Sequence, residues 1–213
     1  MNYSVIIAAG GSGSRMGLPY NKMFYVLPNG STILEASVDF FKQDEQCQQI
    51  IIATNAEDMG RLSHLHGGRI VIVNGGKTRQ ESVLSGLMAV NQDIVLIHDG
   101  ARPYCTPQAL RRLLEAIETQ QAAILAVPAI ETVKLVENGF IIKTIAREKL
   151  MNAQTPQAFN TKLLTQCHQK ALEAHFEATD DAQLIEEFSD VPVKVVIGDY
   201  TNVKITTMKD ILR

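Results

Sequence analysis

Three features of the chain predict an α/β fold built on one doubly wound, mostly parallel sheet. Short apolar runs alternate with stretches of helical period. The runs are apolar without a break, as strands covered on both faces are. The first run passes directly into a glycine-rich turn, the kind of sharp reversal that joins a strand to the next element.

Taken in order, the central strands are read at Val5 to Ala9 (the core of the run from Tyr3), Ile50 to Thr54, Ile70 to Asn74, Ile94 to His98 and Ile124 to Pro128. Thr32 followed by Glu35 makes a capping box that opens a helix over Ile33 to Phe41. Pro107 suits the first turn of a helix running to about Gln120. Thr161 to Ala174 and Asp181 to Phe188 read as later helices, and Asn202-Val-Lys-Ile-Thr206 alternates like a strand. One segment breaks the rhythm. Thr132 to Ile145 reads as two short strands around Asn138-Gly139, a tight-hairpin signal. Extended away from the sheet, that hairpin exposes Val133, Leu135, Phe140 and Ile142 and needs a cover; folded back, it does not. No repeat or linker interrupts the 213 residues, which read as a single domain with an inserted arm over 130–150.

Composition narrows the classes. A hydrophobic fraction of 46% at this length supports one sizeable core. A net charge of −3 offers no bulk attraction to nucleic acid or to an anionic membrane. No apolar stretch approaches the ~20 residues of a membrane span, and the N-terminus carries no secretory pattern, so a cytoplasmic protein is expected. Cys47, Cys105 and Cys167 lack metal or redox spacing and read as reduced structural thiols.

The chemistry concentrates at residues 8–22. Gly10, Gly11 and Gly13 let the backbone turn and present N–H groups, while Arg15 and Lys22 add full positive charge, an arrangement suited to a polyphosphate. A dinucleotide fingerprint starting at Gly11 fails at Met16, and the second strand ends Ile52-Ala53-Thr54-Asn55 without a ribose-binding acid. No register supplies a Walker loop. A glycine turn without a ligand is the bland alternative, but turns need glycine and not flanking cations.

The pattern Ala-Ala-Gly-x-Gly-x-Arg-Met-Gly with Lys22 a few residues on resembles the sugar-nucleotide and polyol-phosphate nucleotidyltransferases. Downstream stand Gly75-Gly-Lys-Thr-Arg-Gln-Glu-Ser-Val83, His98-Asp-Gly-Ala-Arg-Pro103, Ala153-Gln-Thr-Pro-Gln-Ala-Phe159, Ala178-Thr-Asp-Asp-Ala182 and Asn202-Val-Lys-Ile-Thr206. In that order they resemble the 2-C-methyl-D-erythritol 4-phosphate cytidylyltransferase family, over essentially the whole chain from Tyr3 to Leu212.

The resemblance implies a Rossmann-like nucleotidyltransferase fold and transfer of CMP from CTP to a polyol phosphate, with Mg2+ bound mainly through the CTP phosphates and no protein metal ligand assigned. It implies that Arg15 and Lys22 stabilise the transition state and that Ala8, Ala9, Gly10, Gly11 and Gly13 hold the nucleotide. Gly76, Lys77 and Ser82 fall at the base, where a pyrimidine fits better than a purine; Lys77 departs from the small or acidic residue common in the family. Lys22 lies in Tyr-Asn-Lys-Met-Phe, where many relatives have proline before the lysine and glutamine after it. Acceptor recognition falls to Asp99, Arg102, Thr132, Thr155 and Thr179, with Lys204 and Arg147, which precedes a loop over Gln154-Thr-Pro-Gln157, as the cations that position its phosphate. His98 reads as a buried strand-end histidine, and the 130–150 arm as a homodimer contact that carries Arg147 to the partner's active site. The nearest alternative enzyme uses ribitol or ribulose 5-phosphate; a nucleotide sensor without turnover is the alternative of another class.

Overall fold

A computed structural model describes residues 1–11 and 13–211; Leu212, where the resemblance ends, lies outside them. Seven strands form one sheet: β1 (Tyr3–Ala8), β2 (Cys47–Thr54), β3 (Ile70–Asn74), β4 (Ile94–Asp99), β5 (Ala122–Pro128), β8 (Met151–Asn160) and β9 (Lys194–Ile197). Their order is β3-β2-β1-β4-β8-β5-β9. All neighbours run parallel except β8, which is antiparallel to both β4 and β5. A second, two-stranded sheet pairs β6 (Lys134–Glu137) with β7 (Phe140–Thr144).

Successive residues of a strand face opposite ways, which explains the unbroken apolar runs. Val5, Ile7, Ile50, Ile52 and Leu96 meet α1 (Ile33–Lys42) and α4 (Pro107–Ile117) on one face. Ile6, Ile51, Val95 and Ile97 meet α3 (Arg79–Leu87), α5 (Thr161–Glu173) and α6 (Asp181–Phe188) on the other. A short helix, α2 (Ala56–Met59), lies between β2 and β3. Each buried Val, Leu or Ile contributes roughly 1.5–3 kcal/mol, so these two layers outweigh local propensity in fixing the strands. The expected capping box is present in both halves: Glu35 N–H donates to Thr32 Oγ1 at 3.1 Å, and Thr32 N–H to Glu35 Oε2 at 2.8 Å.

Two expectations need correction. The Gln154-Thr-Pro-Gln157 block is not a loop but the middle of β8, inside the sheet. Its polar side chains are buried yet bonded: Gln154 Nε2 donates to Asp199 O and Gln157 Nε2 to Asp180 Oδ2, both at 2.8 Å. Pro156 is tolerated because the β5–β8 register shifts between Ile124 and Ala126, beside it. Asn202 to Thr206, in turn, is not a strand. It is an irregular segment pinned by Asn202 Nδ2 donating to Thr155 O at 2.9 Å and Ile205 N–H donating to Ala101 O at 2.8 Å. Side-chain and single backbone bonds replace the ladder, and Lys204 is held between the two anchors.

The hairpin forms as expected, with Asn138 at φ 49° and Gly139 at φ 82° making its turn. It stands away from the main sheet, every residue of β6 and β7 is exposed, and Phe140 reaches 76% exposure.

Candidate active site

The carboxyl ends of β1 and β4 meet where the strand order reverses, the position at which open α/β sheets leave a crevice. A cavity of about 390 Å³ opens there, and Ala8, Gly10, Gly11 and Gly13 line it. Gly13 has no substitute: its φ is +72°, and a Cβ would stand 2.1 Å from the Tyr20 carbonyl oxygen. Ala9 does not reach the cavity surface; it is fully buried, with its N–H donating to Ala53 O at 2.8 Å.

Arg15 sits on a short 3-10 helix, Ser14–Met16, and Lys22 begins another, Lys22–Phe24; both line the cavity. Asn21 sets the second helix: its Oδ1 accepts from Met23 N–H at 3.1 Å, while Nδ2 donates to Ala9 O and Asp58 Oδ2 at 2.8 Å each. Lys22 Nζ donates to the carbonyl of Ile205 at 2.7 Å. Burial, then Arg15 and Lys204, lower the Lys22 pKa, so the ammonium stands where a further anion is welcome.

The facing wall is the start of α3. Thr78 and Glu81 form a second capping box, and a Cβ on Gly76 would fall 2.2 Å from that of Glu81. Ser82 Oγ accepts from Gly76 N–H at 3.1 Å and donates to Thr78 O at 2.8 Å, bracing the loop on which Gly76 and Lys77 face the cavity.

A second cavity of about 240 Å³ adjoins the first, lined by Arg102, Thr155 and Thr179, and the two share Arg79, Asp99 and Lys204. Asp99 is the hub. Its Oδ1 lies 2.9 Å from Arg79 Nε and its Oδ2 2.7 Å from Lys204 Nζ, with Arg102 Nε farther off at 3.9 Å. Burial alone raises the Asp99 carboxyl, but Arg79 and Lys204 outweigh it and hold the pKa well below the usual carboxylate range. Arg102 Nη1 donates to Asn202 O at 2.7 Å, and burial lowers its pKa.

The two threonine hydroxyls are engaged within the protein. Thr155 Oγ1 accepts from Asp99 N–H at 2.9 Å and lies 3.4 Å from His98 Nδ1, so it braces the hub. Thr179 Oγ1 donates to Gln183 Oε1 at 3.1 Å. His98 is fully buried beside Arg102 O, and burial pushes its pKa down to about 4. Thr132 and Arg147 line neither cavity: they belong to the arm, where Arg147 Nη1 donates to Ile130 O at 2.9 Å.

Sequence reasoning passed over Arg79. A signal was present, because a cation at the first position of a helix opposes the helix dipole and implies a specific anionic partner. Asp181 is that partner, with Oδ2 2.7 Å from Arg79 Nη1.

A mostly parallel sheet carrying a glycine-rich turn, flanking cations and an ion-paired aspartate at its switch point defines an α/β nucleotidyltransferase. The family model for 2-C-methyl-D-erythritol 4-phosphate cytidylyltransferase matches residues 3–213. The enzyme of that name from Halalkalibacterium halodurans is 44% identical, the match covering 100% of this chain and 95% of that one. The solved 4-diphosphocytidyl-2C-methyl-D-erythritol synthase of Anaerococcus prevotii superposes with a TM-score of 0.87 at 34% identity, covering 99% of this chain and 95% of its own. The Francisella tularensis cytidylyltransferase gives 0.86 at 34%, covering 100% and 97%. The chain belongs to the 2-C-methyl-D-erythritol 4-phosphate cytidylyltransferase family.

Proposed function

We infer that the protein transfers CMP from CTP to 2-C-methyl-D-erythritol 4-phosphate, releasing pyrophosphate and CDP-methylerythritol for isoprenoid synthesis. The observation that carries the reading is the pair of cavities meeting at Asp99: Arg15 and Lys22 stand on the nucleotide side, Arg102 on the acceptor side, and Lys204 at the junction.

An oxygen of the acceptor phosphate attacks the α-phosphorus of CTP, and the bond from that phosphorus to the oxygen bridging to the β-phosphorus breaks. The attacking phosphate is already anionic near neutral pH, so no general base is required; the difficulty is that two anions must approach. Arg15 and Lys22 offset the repulsion and the charge that develops on the α-phosphate, and the amides of Gly10, Gly11 and Gly13 hold the triphosphate. Gly76 and Lys77 bound the base, with Ser82 fixing their loop. Asp99 accepts from acceptor hydroxyls, and Arg102, Lys204 and a partner subunit's copy of Arg147 bind the acceptor phosphate.

The donor set suits Mg2+ carried by the nucleotide. Asp99, the carboxylate lining both cavities, is paired with two cations, and the described residues contain no group of three His, Cys, Asp or Glu placed to hold a metal. Bound through CTP, the ion lowers the negative charge of the phosphates. The protein acts in the cytoplasm as a homodimer, one domain per subunit, with the 130–150 arm covering its exposed apolar side chains on the partner. Among the described residues, no helix is long and apolar enough to cross a membrane.

Pyrophosphate release from CTP and Mg2+ tests the assignment. Preference for methylerythritol 4-phosphate over ribitol 5-phosphate and ribulose 5-phosphate is expected; preference for either of the latter overturns it.

A further inference from the structure

We propose that Asp181 is a positioning residue for the reaction centre, orienting the Asp99 carboxylate through Arg79. Asp181 lines neither cavity. It is 1% exposed at the start of α6, with Oδ2 2.7 Å from Arg79 Nη1 and Oδ1 3.3 Å from Nε2 of the buried His168 on α5. Helix capping does not explain it, because Asp180 already caps α6 by accepting from Gln183 N–H at 3.0 Å. A carboxylate this deep is costly unless its partners are fixed.

Arg79 is suited to the task because its donors form a rigid fork. Nη1 meets Asp181 while Nε meets Asp99 Oδ1 at 2.9 Å, so two carboxylates on different elements set the guanidinium plane together. Without Asp181, the guanidinium is free to rotate and release Asp99 Oδ1. That changes what Asp99 presents at the junction of the cavities. The chain of contacts runs from His168, under the sheet, to Lys204, whose ammonium holds the other Asp99 oxygen at 2.7 Å.

The proposal rests on the reading that Asp99 receives the acceptor, and its test separates the two. In Asp181→Asn, kcat/KM for the acceptor is expected to fall about tenfold or more, as when outer partners of a functional ligand are lost, while KM for CTP stays within about twofold. Arg79→Lys keeps a cation but cannot face both carboxylates, so it is expected to show the same loss, and the double variant no further loss. Nitrogen-15 NMR of the Arg79 Nε–H needs no substrate: slow exchange in the wild type and fast exchange in Asp181→Asn are expected. Unchanged Nε–H exchange, additive losses, or a lower Tm with intact kinetics would each overturn the proposal. If Asp181→Asn does not fold, an unaltered acceptor kcat/KM in Arg79→Lys overturns it instead. A wild-type protein without acceptor-dependent pyrophosphate release sinks the functional reading alone, and the NMR comparison still decides the proposal.

Discussion

Lys22 and Ile205, 183 residues apart in the chain, are joined by a 2.7 Å hydrogen bond from the ammonium to a main-chain carbonyl. The bond fixes the cation before any nucleotide is present, and a charge already in place needs no reorganisation during the reaction.

Lys22→Met and Arg15→Ala are therefore expected to lower kcat by about 10²–10³, the scale for losing one preorganised donor at a developing charge. KM for CTP should change far less. Steady-state pyrophosphate release measures both quantities, and equal effects on the two would argue against a transition-state role.

Gly13→Ala combines a left-handed backbone with a Cβ 2.1 Å from Tyr20 O, and strain of this kind costs on the order of 1–3 kcal/mol. Calorimetric CTP affinity should drop about tenfold or more, since 1.4 kcal/mol is a factor of ten. Gly60→Ala is the control, because a Cβ there meets nothing within 4 Å.

Charging the arm tests assembly. Phe140→Asp with Ile142→Asp should give a monomer in sedimentation experiments and lose acceptor-dependent turnover. Arg147→Ala should raise KM for the acceptor without altering mass or KM for CTP, and Lys204→Ala should do the same from within the subunit. An intact dimer in the doubly charged variant would remove the arm from the interface.

Acid stability depends on His98. Its ordinary pKa of 6.5 falls to about 4 in the folded state, so the fold favours the neutral ring. The contribution is complete above pH 6.5 and is lost as pH falls from 6.5 toward 4, amounting to about 3 kcal/mol. Asp99 and Asp181, both lowered, add losses of the same sign at still lower pH. Urea unfolding against pH should show a decline over this window, and His98→Gln should flatten its upper part. A wild-type profile flat between pH 6.5 and 4 would refute the assignment.

The parallel half of the sheet was legible because Ile6, Ile51 and Ile97 belong to strands buried on both faces, where apolar content and strand length coincide. The strand β8 was hidden by its own chemistry. Gln154, Thr155 and Gln157 are polar, Pro156 argues against a central strand, and the hydrogen bonds that let them lie inside come from Asp180, Asp199 and Asn202, distant in sequence. The glycine loop and its cations could be read locally since residues 8–22 hold them all. The Arg79–Asp181 contact spans 102 positions, and only the packing of α6 beside α3 and α5 creates it. The motifs mark Thr155 and Thr179 as candidates only, because which way a hydroxyl bonds depends on neighbours that the fold alone supplies.

Pro128 at the end of β5 pairs with Met151 at the start of β8, so the arm leaves and rejoins the sheet between two touching residues. Topologically it is a cassette: lengthening it, shortening it or exchanging it with that of a relative leaves the threading of every other strand unchanged. In the homodimer proposed above, such a cassette would carry the choice of partner while the sheet keeps its chemistry.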